Sequence, residues 1–317
     1  MFMSKKAYAA LIIILISLAG LRLLTFNKPK PGPPTGFSHA LNADGEQDIE
    51  VPLAPPFYPD FETVWELTDR VLLETHLYTI DETAYVYDEE LDIDSFLEMD
   101  FSAPLKGEPK ILIFHTHSRE GFSDSRPGEA GDTIVGVGSL LARILSEEYG
   151  ISVVHDFGQY DVVDGEECRE GSYERMEPAI LALLDKYPGI EITLDLHRDG
   201  VPDDIRLVSV IDDKPTARIM FFNGITRLNK KGGPEGIPLL PNPHVRQNMG
   251  LSLQAQLTVN SLYPGFARRL FIKPYRYSLH FKPKSMLIEV GANTNTVEEA
   301  MNAMKPLAEV LVKVLGE

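Results

Sequence analysis

Three short apolar runs in the sequence each end in side chains that are suited to metal chemistry. In chain order, these side chains are His115, His117 and Glu120, then Asp195, His197 and Arg198, and finally Glu289. A short apolar run bounded by polar residues is typical of a buried β-strand. Because sites in α/β folds lie beyond the carboxyl ends of the strands, we expect these side chains to meet at one edge of a sheet.

His117, Glu120 and His197 supply the ligand types that a catalytic zinc uses. Such a zinc takes three protein ligands from histidine and carboxylate groups and leaves one position open. Glu289 lies between two apolar residues, where partial desolvation raises the pKa of a carboxyl group towards that of a useful general base. These residues therefore predict a hydrolytic Zn²⁺ site with Glu289 as its catalytic carboxylate.

The choice between His115 and His117 as ligand depends on the phase of the first strand. Alternation along a strand gives both side chains the same direction, so either one fits the site. His117 is preferred because it begins the His-x-x-Glu spacing that ends at Glu120, and His115 is then expected to support the ligands. His280, which precedes the Glu289 strand, is a further candidate to line the cleft.

Each of the two residues beside His197 has two interpretations. Asp195 either orients the His197 ring through its other nitrogen or is a core carboxylate with hydrogen bonds of its own. Arg198 either holds a substrate carboxylate through a bidentate contact or pairs with Asp199. In the functional interpretation, Asp195 supports a metal ligand and Arg198 binds substrate.

The elements around these residues alternate between strand and helix from residue 109 to 317. Apolar spacing predicts strands at 110–115, 151–155, 190–196, 207–211, 217–222, 269–273 and 285–290, and helices at 133–149, 173–187, 248–263 and 296–315. This alternation predicts an α/β fold with an open, mostly parallel twisted sheet and helices on both faces. Residues 109–317 are therefore expected to form the catalytic domain.

The chain before residue 109 is expected to form three segments. Residues 1–26 contain two lysines followed by an apolar run, which indicates either a cleaved signal peptide or, as we prefer, one uncleaved transmembrane anchor. Residues 27–59 form a proline-rich linker, and residues 60–108 form a small lead-in that either packs on the catalytic domain or docks a partner. Both N-terminal interpretations place the catalytic domain outside the cytoplasm, and the anchor predicts a single-pass location in the cell membrane.

Charge and cysteine content exclude several classes of function. The 317 residues contain 30 Lys and Arg against 47 Asp and Glu, a formal net charge of -17, which argues against nucleic acid as the main ligand. The single cysteine, Cys168, excludes an intrachain disulfide framework and a zinc site built on thiolates. Any metal is therefore expected to be held by histidine and carboxylate groups.

Several motifs, taken together, resemble the stage II sporulation protein P family. They are His-Thr-His-x-x-Glu at 115–120, Asp-Leu-His-Arg-Asp at 195–199, Arg276-Tyr277, Leu-Ile-Glu-Val-Gly at 287–291 and Asn-Thr-Val-Glu-Glu at 295–299. The resemblance spans about 109–315 and implies a fold like that of zinc N-acetylmuramoyl-L-alanine amidases. It also implies that His117, Glu120 and His197 are metal ligands and that Glu289 is the catalytic carboxylate.

The same resemblance implies a substrate and partners. Members of this family cut peptidoglycan at the N-acetylmuramoyl-L-alanine amide and within cross-linking peptides, during engulfment in sporulation, with stage II sporulation proteins D and M. Peptidoglycan is therefore the expected substrate. Two alternatives remain open, namely another zinc peptidase of carboxypeptidase-like fold and a noncatalytic assembly protein that binds the cell wall.

Overall fold

The computed structural model describes residues 58–66 and 76–316. The chain divides into two units, 1–56 and 57–317, and the described residues all belong to the second. The predicted N-terminal anchor and nearly all of the predicted linker lie outside the described residues. Within the part of the chain that the structure describes, no helix is both long and apolar enough to cross a membrane.

A seven-stranded sheet forms the centre of the second unit. Its strands are β1 (Tyr78–Ile80), β2 (Ile111–Phe114), β3 (Val153–His155), β4 (Ile192–Asp199), β5 (Ile219–Gly224), β6 (Leu270–Lys273) and β7 (Lys284–Ala292). Their order across the sheet is β1-β6-β5-β7-β4-β2-β3. Three two-stranded hairpins lie outside this sheet, formed by Val162–Val163 with Glu166–Glu167, Val208–Ile211 with Lys214–Ala217, and Arg227–Lys230 with Gly233–Gly236.

The sheet is mostly parallel, and one pairing divides it into two halves that run in opposite directions. Strand β5 pairs antiparallel with β7, whereas every other neighbouring pair of strands is parallel. In the sheet, β7 lies between β4 and β5. The connection from β4 to β5 contains a hairpin and no helix, so it differs from the helical crossovers that join parallel strands. Strands β2, β4 and β7 share one direction, so their carboxyl ends lie at the same edge.

Helices cover both faces of the sheet. They are α1 (Phe61–Glu66), α2 (Ile93–Glu98), α3 (Ile134–Glu147), α4 (Ser172–Lys186), α5 (Val245–Leu262), α6 (Val297–Asn302) and α7 (Met304–Leu315). On one face, Leu112 and Phe114 of β2 pack against Met176 and Ile180 of α4. The alternate residues of β2 belong to the larger core that contains α3, α5 and α7. This two-sided burial explains why β2 is apolar at every position.

The described part of the lead-in belongs to the same compact unit as the predicted catalytic domain. Strand β1 extends one edge of the sheet by pairing with β6. Phe96 of α2 is fully buried, and the Gln254 side chain on α5 donates to the carbonyl oxygens of Phe96 and Met99, both at 2.8 Å. Residues from 76 to 108 therefore contribute to the sheet and to the core.

The closing helix differs from the prediction because it is two helices with Ala303 between them. Thr296 caps α6 as expected from its hydroxyl, which accepts from Glu299 N at 3.2 Å, while the Glu299 carboxylate accepts from Thr296 N. Pro306, in the first turn of α7, has no N–H with which to continue the hydrogen bonding of α6. The prediction of one continuous helix over 296–315 was wrong for this reason.

Candidate active site

The register of two neighbouring strands brings His197 and Glu289 together. His197 on β4 pairs with Glu289 on β7 in the parallel ladder, so both side chains lie on the same face of the sheet. Asp195 shares that face with Phe114 of β2, which packs against α4. A cavity of about 290 Å³ opens at this edge, and its lining includes the predicted residues His117, Glu120, His197, Arg198 and Glu289.

The His197 ring lies between two buried carboxylates. Its Nδ1 atom is 3.3 Å from Glu120 Oε2, and its Nε2 atom is 2.9 Å from Asp195 Oδ1, although the latter contact lacks the alignment of a hydrogen bond. Asp195 also accepts from the Thr116 main-chain nitrogen at 3.0 Å and from the Thr116 hydroxyl at 2.7 Å. Asp195 thus links His197 to the segment that follows β2.

The charges of His197, Asp195 and Glu120 affect the pKa of one another. Burial disfavours protonation of His197, but the adjacent Asp195 and Glu120 outweigh burial and raise its pKa well above the ordinary value. Burial opposes ionisation of the two carboxyl groups, yet His197 and their hydrogen bonds lower the pKa of each. In the metal-free protein, the two carboxylates therefore surround one positive charge.

His117 offers an unpaired nitrogen to the same cavity. Its ring centroid is 5.2 Å from that of His197, and its buried Nδ1 atom has no hydrogen-bond partner within residues 58–66 and 76–316. Burial, followed by the charge of His197, lowers the pKa of His117 to about 4. The ring is therefore neutral at physiological pH, which is the form that ligates metal.

His115 lies on the opposite side of the sheet from the cavity, contrary to the expectation that it shares a direction with His117. Its Nδ1 atom is 3.0 Å from the Leu196 carbonyl oxygen, and its Nε2 atom is 2.9 Å from His155 Nε2. A Cβ atom on Gly138 of α3 would lie 2.6 Å from this ring, so only glycine leaves room for it. Strand alternation fails here because β2 ends at Phe114 and the chain then bends.

Glu289 has the environment of a carboxyl group that is easily protonated. Its Oε2 atom is buried and has no hydrogen-bond partner among the described residues. Burial raises the pKa of Glu289 to about 8; the charge of His197 lowers this pKa and that of Glu120 raises it further. Leu287, two residues earlier on the same face, and Met220 of β5 add apolar surface to the cavity lining.

The main-chain nitrogen of Arg198 holds Glu120 in place. It donates to Glu120 Oε2 at 2.9 Å, and the Arg198 guanidinium donates to the Gly121 carbonyl oxygen at 2.8 Å. Asp199 pairs instead with Arg268, whose Nη1 atom is 2.6 Å from Asp199 Oδ2. The Arg198 guanidinium also donates to the Asp199 carbonyl oxygen at 3.4 Å, and it lines the cavity, so its binding of a substrate carboxylate stays a prediction.

His280 does not line the cavity. Its Nε2 atom lies 3.3 Å from Glu177 Oε1, and its ring centroid is 4.2 Å from that of Phe281. Glu177 also pairs with Arg276, so a small charged group forms between α4 and the segment before β7. The structure therefore places His280 apart from His117, His197 and Glu289.

Several residues of the cavity lining were not predicted from the sequence as site residues, among them Arg169 and Tyr173. Arg169 Nη2 lies 3.1 Å from Glu120 Oε1. Tyr173 lies edge-on to His117, with ring centroids 5.8 Å apart, and packs against Tyr277 at 5.7 Å. Arg169 lies in a polar stretch without a motif. A signal for Tyr173 existed, because it begins a predicted helix that follows a strand, and such positions lie at the carboxyl edge of a sheet.

Tyr277 has a left-handed backbone conformation, with φ +51°, that residues other than glycine rarely adopt. Its ring centroid is 4.7 Å from that of Phe222, which also lines the cavity. A Cβ atom on Gly224 would lie 2.0 Å from the Tyr275 carbonyl oxygen, so glycine allows this segment to approach β5. The strained conformation holds an aromatic ring at the cavity wall.

No three His, Cys, Asp or Glu side chains among the described residues are grouped so that they could hold a metal ion as they stand. His117, Glu120 and His197 line the same cavity, but Glu120 contacts both His197 and Arg169. Binding of a metal by this set requires that these contacts give way.

Comparisons with solved structures find matches at low identity. The CwlD amidase from Clostridioides difficile, solved in complex with the GerS lipoprotein, is 12% identical over 65% of this chain and 98% of that chain, with a TM-score of 0.41. An N-acetylmuramoyl-L-alanine amidase from Clostridium difficile 630 is 15% identical over 65% of this chain and 96% of that chain, with a TM-score of 0.39. A comparison with curated proteins finds no match.

Comparison with protein families gives one match that covers most of the chain. The sequence profile described as Stage II sporulation protein P matches residues 78–312. The matched range begins at β1 and ends within α7, and it includes every residue that lines the cavity. The chain therefore belongs to the stage II sporulation protein P family.

Proposed function

We propose that this protein is a zinc-dependent peptidoglycan hydrolase that cleaves the N-acetylmuramoyl-L-alanine amide. The observation that carries the proposal is the convergence of His117, Glu120, His197 and Glu289 on one cavity. Membership of the family supports a role on peptidoglycan during sporulation. The choice of the amide as the bond that is cut rests on the resemblance of the motifs to those of the family.

His117, Glu120 and His197 are proposed as the ligands of Zn²⁺. Two imidazoles and a carboxylate are the donors that catalytic zinc sites use, and the buried Nδ1 atom of His117 has no competing hydrogen bond among the described residues. His197 carries a proton between Asp195 and Glu120 in the metal-free protein, so zinc binding would release this proton. Zinc at this position would polarise a carbonyl group and acidify a water molecule.

Glu289 is proposed as the general base and acid. It takes a proton from the attacking water and gives a proton to the amide nitrogen as the carbon–nitrogen bond breaks, which leaves a carboxylic acid on the sugar side and an amine on the alanine. A pKa near 8 in the metal-free protein suits both steps because the group gains and loses a proton readily near neutral pH. The adjacent apolar residues keep this carboxyl group away from bulk water.

Three other predicted residues are proposed to position the metal ligands. Asp195 fixes the His197 ring relative to Thr116. His115 contacts the carbonyl oxygen of Leu196, the residue directly before His197. Arg198 holds Glu120 through its main-chain nitrogen. Each of these contacts acts through a proposed metal ligand, so a loss of any of them is expected to weaken metal binding.

The setting of the enzyme is proposed from its sequence and family. Residues 1–26 act as a single transmembrane anchor, residues 27–59 act as a spacer, and the catalytic domain lies outside the cytoplasm. Stage II sporulation proteins D and M are the proposed partners, and cleavage within cross-linking peptides is a proposed second activity. These assignments are supported by the apolar and proline-rich composition of the N-terminal region and by the family.

Mass spectrometry of the products from purified peptidoglycan tests the proposed function. An amidase releases intact stem peptides with a free alanine amine and leaves sugar chains that carry no peptide. A zinc peptidase of carboxypeptidase-like fold would instead shorten peptides that remain attached to sugar. A noncatalytic wall-binding protein would release nothing, and either of these last two results would contradict the proposal.

A further inference from the structure

A second cavity lies on the other side of the segment that carries His117 and Glu120. This side groove has a volume of about 450 Å³ and is lined by residues that include Ser118, Arg119, Gly121, Arg126, Phe157 and Gln159. His117 and Glu120 line the active cavity, whereas the residues that alternate with them line the side groove. One short segment is therefore the wall between the two cavities.

Hydrogen bonds to a buried carboxylate fix this wall. Asp161 is fully buried and accepts from the Ser118 hydroxyl at 2.6 Å and from the Arg119 main-chain nitrogen at 3.0 Å. The Arg119 guanidinium donates to the Gly165 carbonyl oxygen at 2.9 Å. The side groove and the active cavity are thus held next to each other at the carboxyl edge of the sheet, where α/β folds bind their ligands.

Phe157 presents an aromatic face at the side groove. Its side chain is 62% exposed, and its ring is supported by His155, with centroids 4.2 Å apart. Ligand cavities are commonly lined by aromatic side chains together with a few polar groups, and Phe157 is an aromatic side chain of this lining. The Gln159 amide provides polar groups at the rim, as is typical of ligand sites, whereas the Ser125 hydroxyl already donates to the Asp132 carbonyl oxygen and accepts from the Phe122 main-chain nitrogen.

The charges at the side groove balance. Arg126 is paired with Asp132 through two contacts of 2.6 and 3.0 Å, and the remaining charges are the positive Arg119 and the negative Glu129. The active cavity differs because its lining carries Arg169, Lys273 and several carboxylates together with aromatic rings. An uncharged ligand with polar groups and an apolar ring face suits the side groove, whereas a charged ligand suits the active cavity.

We propose that the side groove binds the sugar chain of the substrate, with one N-acetylated hexosamine ring stacked on Phe157. This inference deepens the proposed function and rests on it, since the scissile amide joins an uncharged sugar polymer to a peptide with charged carboxylates. The two arms leave the amide in different directions, and two adjacent cavities on either side of the ligand-bearing wall accommodate them. The sugar chain occupies the side groove, and the stem peptide enters the active cavity.

Direct binding of a peptide-free sugar chain tests this assignment independently of catalysis. The probe is the uncharged tetrasaccharide of N-acetylglucosamine, added to the full-length chain in a calorimeter. Phe157→Ala is expected to weaken binding about tenfold, or about 1.4 kcal/mol. Phe157→Trp, which keeps an aromatic face, is expected to bind as tightly as the wild type. Leu239→Ala is the matched control, because Leu239 is 90% exposed and lines neither cavity.

Two results would overturn the assignment. One is equal affinity of the wild type and Phe157→Ala for the tetrasaccharide, and the other is the absence of binding to the wild type. Failure of the proposed function gives a different pattern, in which peptidoglycan is not hydrolysed while the tetrasaccharide still binds through Phe157. Hydrolysis of peptidoglycan with no effect of Phe157→Ala on sugar binding would reject the side groove alone.

Discussion

Glu289→Gln is expected to abolish hydrolysis and, in the metal-free protein, to increase the free energy of unfolding. The pKa of this carboxyl group is about 8 in the folded protein, against an ordinary value of 4.5. Between these two pH values the unfolded chain ionises the group and the folded protein does not, so the native carboxyl group makes folding less favourable as pH rises through this window. Glutamine does not titrate, so the free energy of unfolding of the variant does not fall for this reason as pH rises.

The measurement is urea unfolding of the wild type and Glu289→Gln in the presence of a chelator, at pH 5 and at pH 8. We expect a small difference between the proteins at pH 5 and a larger advantage of the variant, on the order of 1–3 kcal/mol, at pH 8. Glu298→Gln is the matched control, because Glu298 is exposed on α6 and its replacement should change stability by less than about 0.5 kcal/mol. A variant that still hydrolyses peptidoglycan, or that is less stable than the wild type at pH 8, would contradict this prediction.

Asp195→Ala is expected to destabilise the protein by about 3–5 kcal/mol. Asp195 is fully buried, and its carboxylate accepts from the Thr116 nitrogen and hydroxyl and contacts His197. Alanine would leave these groups buried without their partner, which costs more than the net gain from the original hydrogen bonds. Urea unfolding at pH 7 measures the change.

Thr116→Val separates the contributions to this network. Valine keeps the shape and the main-chain nitrogen of residue 116 but removes the hydroxyl bond of 2.7 Å to Asp195. We expect a loss of about 1 kcal/mol, clearly smaller than that of Asp195→Ala. If the two variants were equally stable, Asp195 would not be the residue that ties His197 to the segment after β2.

The apolar runs of the sequence were sufficient to predict which strand ends meet at one edge of the sheet. β2, β4 and β7 are buried over most of their length and contain, or are followed by, polar groups towards their carboxyl ends, and parallel pairing brings these ends together. His197 and Glu289 are neighbours because of this pairing. The strand ends together with the residue types therefore predicted that His197 and Glu289 lie close together, and their roles in a site stay predictions.

The direction of β5 and the environment of His115 could not be obtained from residue patterns. Alternation of apolar residues identifies a strand but does not give its direction, and β5 is antiparallel to β7. The absence of a predicted helix between β4 and β5 was the available clue. His115 separates from His117 because the chain bends after Phe114, and Gly138 leaves the space that His115 fills. Both features depend on tertiary contacts that are distant in sequence.

The metal content of the purified full-length chain tests the central claim most directly. Mass spectrometric metal analysis is predicted to find about one zinc per chain in the wild type, in Glu289→Gln and in His280→Ala, since His280 lies apart from the cavity. His117→Ala and His197→Ala are predicted to lose the zinc, because each removes one of three proposed ligands. A wild-type chain without zinc, or zinc that persists in both histidine variants, would contradict the account.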